Sequence, residues 1–362
     1  MTALPEPLAG ITNPWTCPGG TAVLSSSRPE GEWLAARDGL IGASEVAQLL
    51  GLLPQYGDGH SIWLRKTGRM PAEPTTDAQR RGQVFEDAIV ALWTERFAAF
   101  PVVVRKQGLM RARRWPHMGA TVDRLSICAH PATGPSRCIV EVKSAARFED
   151  WLGDEVPTAY QLQGQVQLGA TGRDHVHYVV MGPRFQIEHR LVHRDEELIA
   201  TLGEHVETWW AAHMDTDEAP EPTAASLDAI RRSHYHAEPK KAFVITPELE
   251  QHARALTEAL AEIDEQERVA DNARALLMAA MDDATELVWD DGTVLATWRP
   301  SRTIDGANAA WRKANADLVQ RYSVPVPEHT ELDLNKLVEN EPQLIERGEL
   351  RYRRTFKPVR SK

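Results

Sequence analysis

The sequence predicts an α/β fold with a mixed central β-sheet flanked by helices. Three observations carry this expectation. The run RRGQVFEDAIVALWTERF repeats its apolar residues with the 3.6-residue period of a helix packed on a core. The run CIVEVKSA alternates apolar and polar residues as a strand does. Between residues 31 and 215 such helical and strand patterns succeed one another around a single polar stretch, 118–145.

The elements follow in order. The start, MTALPEPLAGITNPWTCPGG, has neither a basic n-region nor a continuous apolar h-region, so residues 1–30 are expected to be a loose leader and not a signal peptide. EWLAARDGL forms a short helix that turns at Asp38-Gly39. A second helix begins at Ala43 or Ser44, with Val46, Leu49 and Leu50 on its apolar face. SIWLRKTGRMP is a short helix stopped by Gly68 and Pro71, and PAEPTTDAQ is a polar connection. The next helix carries Val84, Phe85, Ala88, Ile89, Leu92 and Trp93 on its buried side, with Glu86 near its start.

PVVVRKQGLMRARR is expected as a strand pair or a strand and turn. It leads to HMGATVDRLSI and, past the turn-rich HPATGPSR, to CIVEVKSA. AYQLQGQVQLGATG is a helix with Gln163 and Gln167 one turn apart on one face, and DHVHYVVMG and FQIEHRLVHR add strands. Glu196 to Met214 is a further long helix. DTDEAPEPTAAS, rich in Pro, acid and small residues, opens a linker over 216–242.

Residues 243–362 then form a C-terminal extension. In its long acidic helix Leu249, Leu256, Ile263 and Ala270 recur at seven, a stripe that must pack on the core or on another chain. ELVWDDGTVLATWRP reads as a hairpin turning at Asp291-Gly292, DLNKLVENEPQLIERG as a polar helix, and RYRRTFKPVRSK as a basic end.

Composition narrows the function classes. The chain has 362 residues and is 42% hydrophobic, enough for a large core, yet no apolar run approaches the roughly 18 residues a membrane helix needs. Cys17, Cys128 and Cys138 show no CxxC spacing, which argues against a disulfide framework, a zinc knuckle or an iron–sulfur cluster and suits a reducing cytoplasm. His175 and His177, the tight pair among the histidines, read as packing or surface residues. The net charge of −11 is uneven: residues 216–300 hold 18 acids against 8 bases, so basic clusters such as Arg80 with Arg81, or Arg111 with Arg113 and Arg114, can still meet a phosphate backbone.

The chemistry concentrates in 118–145. On a strand, Glu141 and Lys143 share one face while Val140 and Val142 share the other, and Asp123 ends the preceding apolar run. An aspartate and a glutamate on adjacent strands can hold Mg²⁺ through hard oxygens and leave positions for water and a scissile phosphate. A lysine beside them can orient or deprotonate that water and offset phosphate charge. The pattern is weak alone, because a strand with a solvated acid/base pair has the same spacing.

Four separated blocks strengthen it. They are R-x-G-x-I-x-A-S (Arg37 to Ser44), R-G-x-x-x-E (Arg81 to Glu86), T-x-D with ExK (Thr121, Asp123, Glu141, Lys143) and Y-x-x-Q (Tyr160, Gln163). Together, across roughly residues 31–182, they resemble the YqaJ and lambda-exonuclease group of phage recombination nucleases within the PD-(D/E)xK superfamily. The resemblance implies a restriction-endonuclease-like core over 31–215 and an Mg²⁺-dependent exonuclease, with Mn²⁺ as a substitute ion. Such an enzyme resects double-stranded DNA ends 5′ to 3′ and leaves 3′ single strands for an annealing protein.

Position by position, the resemblance makes Asp123 and Glu141, with the carbonyl of Val142, the metal ligands. Lys143 activates or positions water, Glu86 holds a second metal or its waters, and Gln163 supports the site. Arg37, Ser44 and Thr121 grip a 5′-phosphate, a role that a guanidinium, a hydroxyl and a helix start can fill together. Thr121 departs from the more frequent Ser but keeps the hydroxyl. Lambda exonuclease is a trimeric ring, and the resemblance leaves open whether this chain forms a homo-oligomer; the lack of a long apolar run leads us to expect no membrane partner. Two alternatives remain: a PD-(D/E)xK endonuclease of restriction or repair type, and a catalytically silent DNA-binding or assembly protein. The silent form is marked by loss of Asp123, Glu141 or Lys143, all present here.

Overall fold

A computed structural model describes residues 4–71, 76–145, 148–234, 241–305, 309–326, 329–333, 336–337, 340–341, 343–346 and 351–358. The chain divides into two compact units, Met1–Lys241 and Ala242–Lys362.

The first unit runs β1 (Gly20–Leu24), α1 (Glu30–Asp38), β2 (Ile41–Gly42), α2 (Ala43–Leu49), α3 (Gly59–Lys66) and α4 (Asp77–Leu92). It continues with β3 (Val102–Arg105), β4 (Leu109–Ala112), β5 (Met118–Ala120), β6 (Arg124–His130), β7 (Gly134–Ser144) and α5 (Thr158–Thr171). It ends with β8 (His175–Met181), β9 (Ile187–His193), α6 (Glu196–Trp209) and α7 (Leu227–Ser233). Local chemistry sets several ends. Thr76 caps α4, its hydroxyl accepting from the Gln79 amide at 3.2 Å while Gln79 Oε1 accepts from the Thr76 amide at 2.8 Å. Gly172 closes α5 at φ 70°, a left-handed conformation glycine adopts without strain.

The strands form two mixed sheets. The larger has the order β3-β6-β7-β8-β9, with β7 and β8 parallel and the other neighbours antiparallel. The smaller has the order β1-β4-β5-β2, with β2 parallel to β5. Helix α5 returns the chain from β7 to β8 and packs on one face of the larger sheet, where Leu162 and Val166 join Ile139, Val176 and Tyr178. Helix α4 covers the other face, where Ile89 and Trp93 meet Val140 and Val179. The α/β expectation with a mixed central sheet holds.

Three local expectations change. The leader is not loose throughout: Leu8 is fully buried and residues 20–24 form β1, paired with β4 through Gly20↔Ala112 and Thr21↔Arg111. PVVVRKQGLMRARR does form two strands, but β3 pairs with β6 and β4 with β1 and β5, so they serve different sheets. The 216–242 linker is structured at its start. Asp58 at the head of α3 accepts from Thr223 Oγ1 at 2.6 Å and Ser226 Oγ at 2.5 Å, which ties residues 223–226 to the first unit. The linker also carries a regular helix, α7, so a composition rich in Pro, acid and small residues marks neither the absence of structure nor the absence of partners. Residues 235–240 of the expected linker, 72–75 of the polar connection and the very ends of the chain lie outside the described residues.

In the second unit α8 (Pro247–Met281) is one continuous helix. Leu256, Leu260 and Ile263 are more than half exposed, so the heptad stripe is uncovered among the described residues. The expected hairpin is present as β10 (Glu286–Val288) and β11 (Val294–Asp305), with Gly292 at φ 82° in its turn. The basic end contributes Arg351–Pro358 as a third strand beside β11. The expected polar helix lies partly outside the described residues, of which Gln343–Glu346 are helical.

Candidate active site

Strand β7 presents Glu141 and Lys143 toward α5, and the antiparallel β6 brings Asp123, the residue before its first, alongside. The backbone N–H of Val142 donates to Asp123 Oδ2 at 2.7 Å, locking the aspartate to the strand that bears the other two. Lys143 Nζ donates to Glu141 Oε1 at 2.8 Å and to Gln163 Oε1 at 3.1 Å, and it sits 4.9 Å over the Tyr160 ring. Glu141 is held on both sides: Gln163 Nε2 reaches Oε1 at 2.6 Å and Gln167 Nε2 reaches Oε2 at 2.7 Å. Gln163 and Gln167 are one helical turn apart on α5, so one face of a buried helix delivers both amides.

The electrostatics follow from this crowding. Burial, with Glu141 and Glu86 nearby, pushes the Asp123 carboxyl well above the ordinary carboxylate range despite the pull of Lys143. Burial alone would lower Lys143, but the Glu141 and Asp123 carboxylates outweigh it and hold the ammonium above its usual value. Lys143 is therefore cationic at neutral pH. Glu86 lies on the α4 side, where it pairs with the buried Arg124, which also pairs with Asp87. Arg124 escaped the sequence reading, since nothing in the pattern separates it from an ordinary surface arginine.

The residues expected at a 5′-phosphate split. Arg37 stacks on Trp33 at 4.6 Å and lies 4.0 Å from Glu45, while Ser44 is exposed at the start of α2. Glu45, which with Ser44 opens α2, is the hub of a cation cluster that its place in the sequence does not reveal. Arg65 reaches it at 2.7 Å and Lys66 at 3.1 Å, and its Oε2 accepts from the Gly42 amide at 2.7 Å. Burial disfavours the charge on Glu45, but Lys66, Arg65 and Arg37 overcome it and hold the carboxyl at about 2. Three cations share this one carboxylate, so the cluster is net positive beside Ser44. Thr121 stands apart: its hydroxyl is buried with no partner among the described residues, and its carbonyl accepts from Gln167 at 3.3 Å. The parallel pairing Ile41↔Met118 and Gly42↔Gly119 nevertheless runs the chain into Ser44 and Thr121 from adjacent strands.

The chain is similar to several known proteins. Residues 32–174 match the YqaJ-like viral recombinase domain. The uncharacterized protein YqaJ of Bacillus subtilis (strain 168) is 26% identical over 229 residues, covering 61% of this chain and 69% of that protein. Among solved structures, the alkaline exonuclease LHK-Exo of Laribacter hongkongensis is 23% identical, with 51% of this chain and 93% of that one aligned at a TM-score of 0.41. A phage-related exonuclease from Haemophilus somnus 129PT is 11% identical, with 49% and 96% aligned at a TM-score of 0.36. The matched segment, which resembles the YqaJ-like viral recombinase domain, carries Arg37, Glu86, Asp123, Glu141, Lys143 and Gln163.

Proposed function

We propose that the protein is a metal-dependent exonuclease that degrades double-stranded DNA from its ends, 5′ to 3′, leaving a 3′ single strand for an annealing protein. The observation that carries this reading is the convergence of Asp123, Glu141 and Lys143, with Asp123 bonded to the amide between the other two. The donors fit a hard divalent cation. They are carboxylate oxygens whose burial and crowding push the Asp123 carboxyl up, and Asp123 Oδ1 has no hydrogen-bond partner among the described residues. Asp123, Glu141 and the Val142 carbonyl would hold Mg²⁺ or Mn²⁺, which when bound supplies Lewis-acid activation of the phosphodiester and its attacking water.

The chain's own groups supply the rest. Gln163 and Gln167 fix both oxygens of Glu141, so the carboxylate cannot rotate away from a ligand. Lys143, kept cationic, orients the water and offsets charge on the phosphate rather than removing a proton. Glu86, engaged by Arg124, acts at the margin of the site. Arg37 and Ser44, beside Arg65 and Lys66, bind the 5′-phosphate that each cut exposes, which gives the enzyme its direction.

Linear duplex labelled at either end, incubated with and without Mg²⁺, tests the reading. The expected result is Mg²⁺-dependent loss of the 5′ label first, abolished in Asp123→Asn and Lys143→Ala with the fold intact. Phosphorylated ends should be degraded faster than dephosphorylated ones, a difference erased by Arg37→Ala. Full activity in Asp123→Asn removes the site assignment, and cleavage of closed circular DNA replaces the exonuclease with an endonuclease.

A further inference from the structure

On the face of the larger sheet turned away from Glu141, four side chains converge that the nuclease reading does not use. Cys128 of β6, Cys138 of β7 and His175 and His177 of β8 are all buried, and one ligand atom from each lies within 4.8 Å of the others. Strand register explains how. Cys138 pairs with His175, Val140 with His177 and Cys128 with Ser136, so the four residues share one face of three neighbouring strands.

The spacing is that of ligands around a point. Cys128 Sγ lies 3.2 Å from His177 Nε2 and 3.4 Å from His175 Nε2, and the two Nε2 atoms are 3.0 Å apart. Each imidazole nitrogen has a single in-plane proton or lone pair, so it can serve one edge of this triangle but not two. One cation inside, completed by Cys138, satisfies every edge. A tetrahedral zinc with bonds of about 2.0–2.1 Å to nitrogen and about 2.3 Å to sulfur has nitrogen–nitrogen edges of about 3.3 Å and sulfur–nitrogen edges of about 3.5 Å. The observed edges are only slightly shorter.

We propose that Cys128 Sγ, Cys138 Sγ, His175 Nε2 and His177 Nε2 form a structural zinc site. Binding releases the two thiol protons to solvent, and the two thiolates balance the charge of Zn²⁺. The surroundings suit a closed site. His177 Nδ1 lies 2.8 Å from His189 Nε2, an outer partner that orients the ring. The Trp93 and Phe100 rings lie 5.4 and 5.6 Å from the His177 ring and help keep water out. The fully buried Arg173 donates to the carbonyls of Ser126 at 2.7 Å and Cys138 at 3.2 Å, placing a cation beside the thiolates. Four protein donors leave no open position for a substrate, and thiolate with imidazole selects zinc over magnesium. The site staples β6, β7 and β8 together, with Cys138 three residues before Glu141.

The proposal stands independently of the nuclease reading, because none of the four residues belongs to that site. Its test is metal content and spectroscopy on the full chain. The purified protein should retain one equivalent of zinc after dialysis against a chelator that strips Mg²⁺. Metal-free protein given Co²⁺ should develop a thiolate-to-cobalt charge-transfer band and the intense visible bands of a tetrahedral ion. Cys138→Ser should lose the charge-transfer intensity of one thiolate and hold zinc more weakly, while Asp123→Asn should behave as the parent. Folded parent protein that holds no zinc and gives no thiolate–cobalt band overturns the proposal, and that outcome does not depend on any variant folding. Retention of zinc with an unchanged cobalt spectrum in Cys138→Ser overturns the ligand assignment.

Discussion

Glu141 gives up no freedom to solvent: Lys143 and Gln163 engage one of its oxygens and Gln167 the other. Replacing Gln167 by Leu keeps volume on α5 but frees Oε2, and outer partners of this kind typically change metal affinity or activity by about 10–100-fold. Gln167→Leu is therefore expected to raise the Mg²⁺ concentration needed for half-maximal degradation of linear duplex by about that factor, read from a Mg²⁺ titration, with an unchanged melting curve. At this scale the sequence was informative where spacing dictates geometry. Asp123, Glu141, Lys143 and Gln163 could be read because strand and helix periods put them on common faces. Arg124 could not, since its pairing with Glu86 and Asp87 depends on how α4 crosses β6. The two cysteines and two histidines of β6, β7 and β8 escaped for a related reason. Their spacing along the chain matches no local metal motif, and only strand register makes them neighbours.

Among the elements, Glu45 binds three helices at one point, through Arg37 at the end of α1, its own place in α2, and Arg65 and Lys66 at the end of α3. Removing one partner of a buried ion cluster costs about 3–5 kcal/mol, because the remaining charges stay desolvated. Lys66 is nearly inaccessible and burial pulls its ammonium pKa down, so Glu45→Gln should lie toward about 3 kcal/mol of lost stability in urea unfolding. The pH dependence has a definite sign. The folded carboxyl titrates at about 2 against an ordinary value of 4.5, so its contribution is complete above pH 4.5 and is lost as pH falls toward 2. The parent should lose stability across that acid window more steeply than Glu45→Gln. Helix boundaries here were legible from caps and periodicity, whereas the fate of β1, of β3 against β4, and of residues 223–226 was not. Sheet partners and Asp58-mediated ties are long-range choices that no local pattern encodes.

For the whole molecule, the first unit contains every residue proposed for cleavage and end recognition, together with its own core. A chain truncated after Lys241 is expected to fold and to degrade linear duplex with the same metal dependence. Loss of all activity in a folded truncation would assign the second unit a part in catalysis. The acidity of residues 216–300 was visible in composition, while the stripe of α8, expected to pack on the core or on another chain, is exposed among the described residues. Strand β7 has a further consequence. Its odd-numbered residues Glu141 and Lys143 face α5, and its even-numbered residues Cys138 and Val140 face the layer under α4. The strand therefore has a phase. A single-residue insertion just before Cys138 would exchange the two faces, moving a carboxylate and an ammonium among the histidines and the Cys138 thiol toward α5. Each chemistry would lose its β7 contribution in one step, whereas an insertion of two residues would keep each side chain on its proper face and shift it only along the strand.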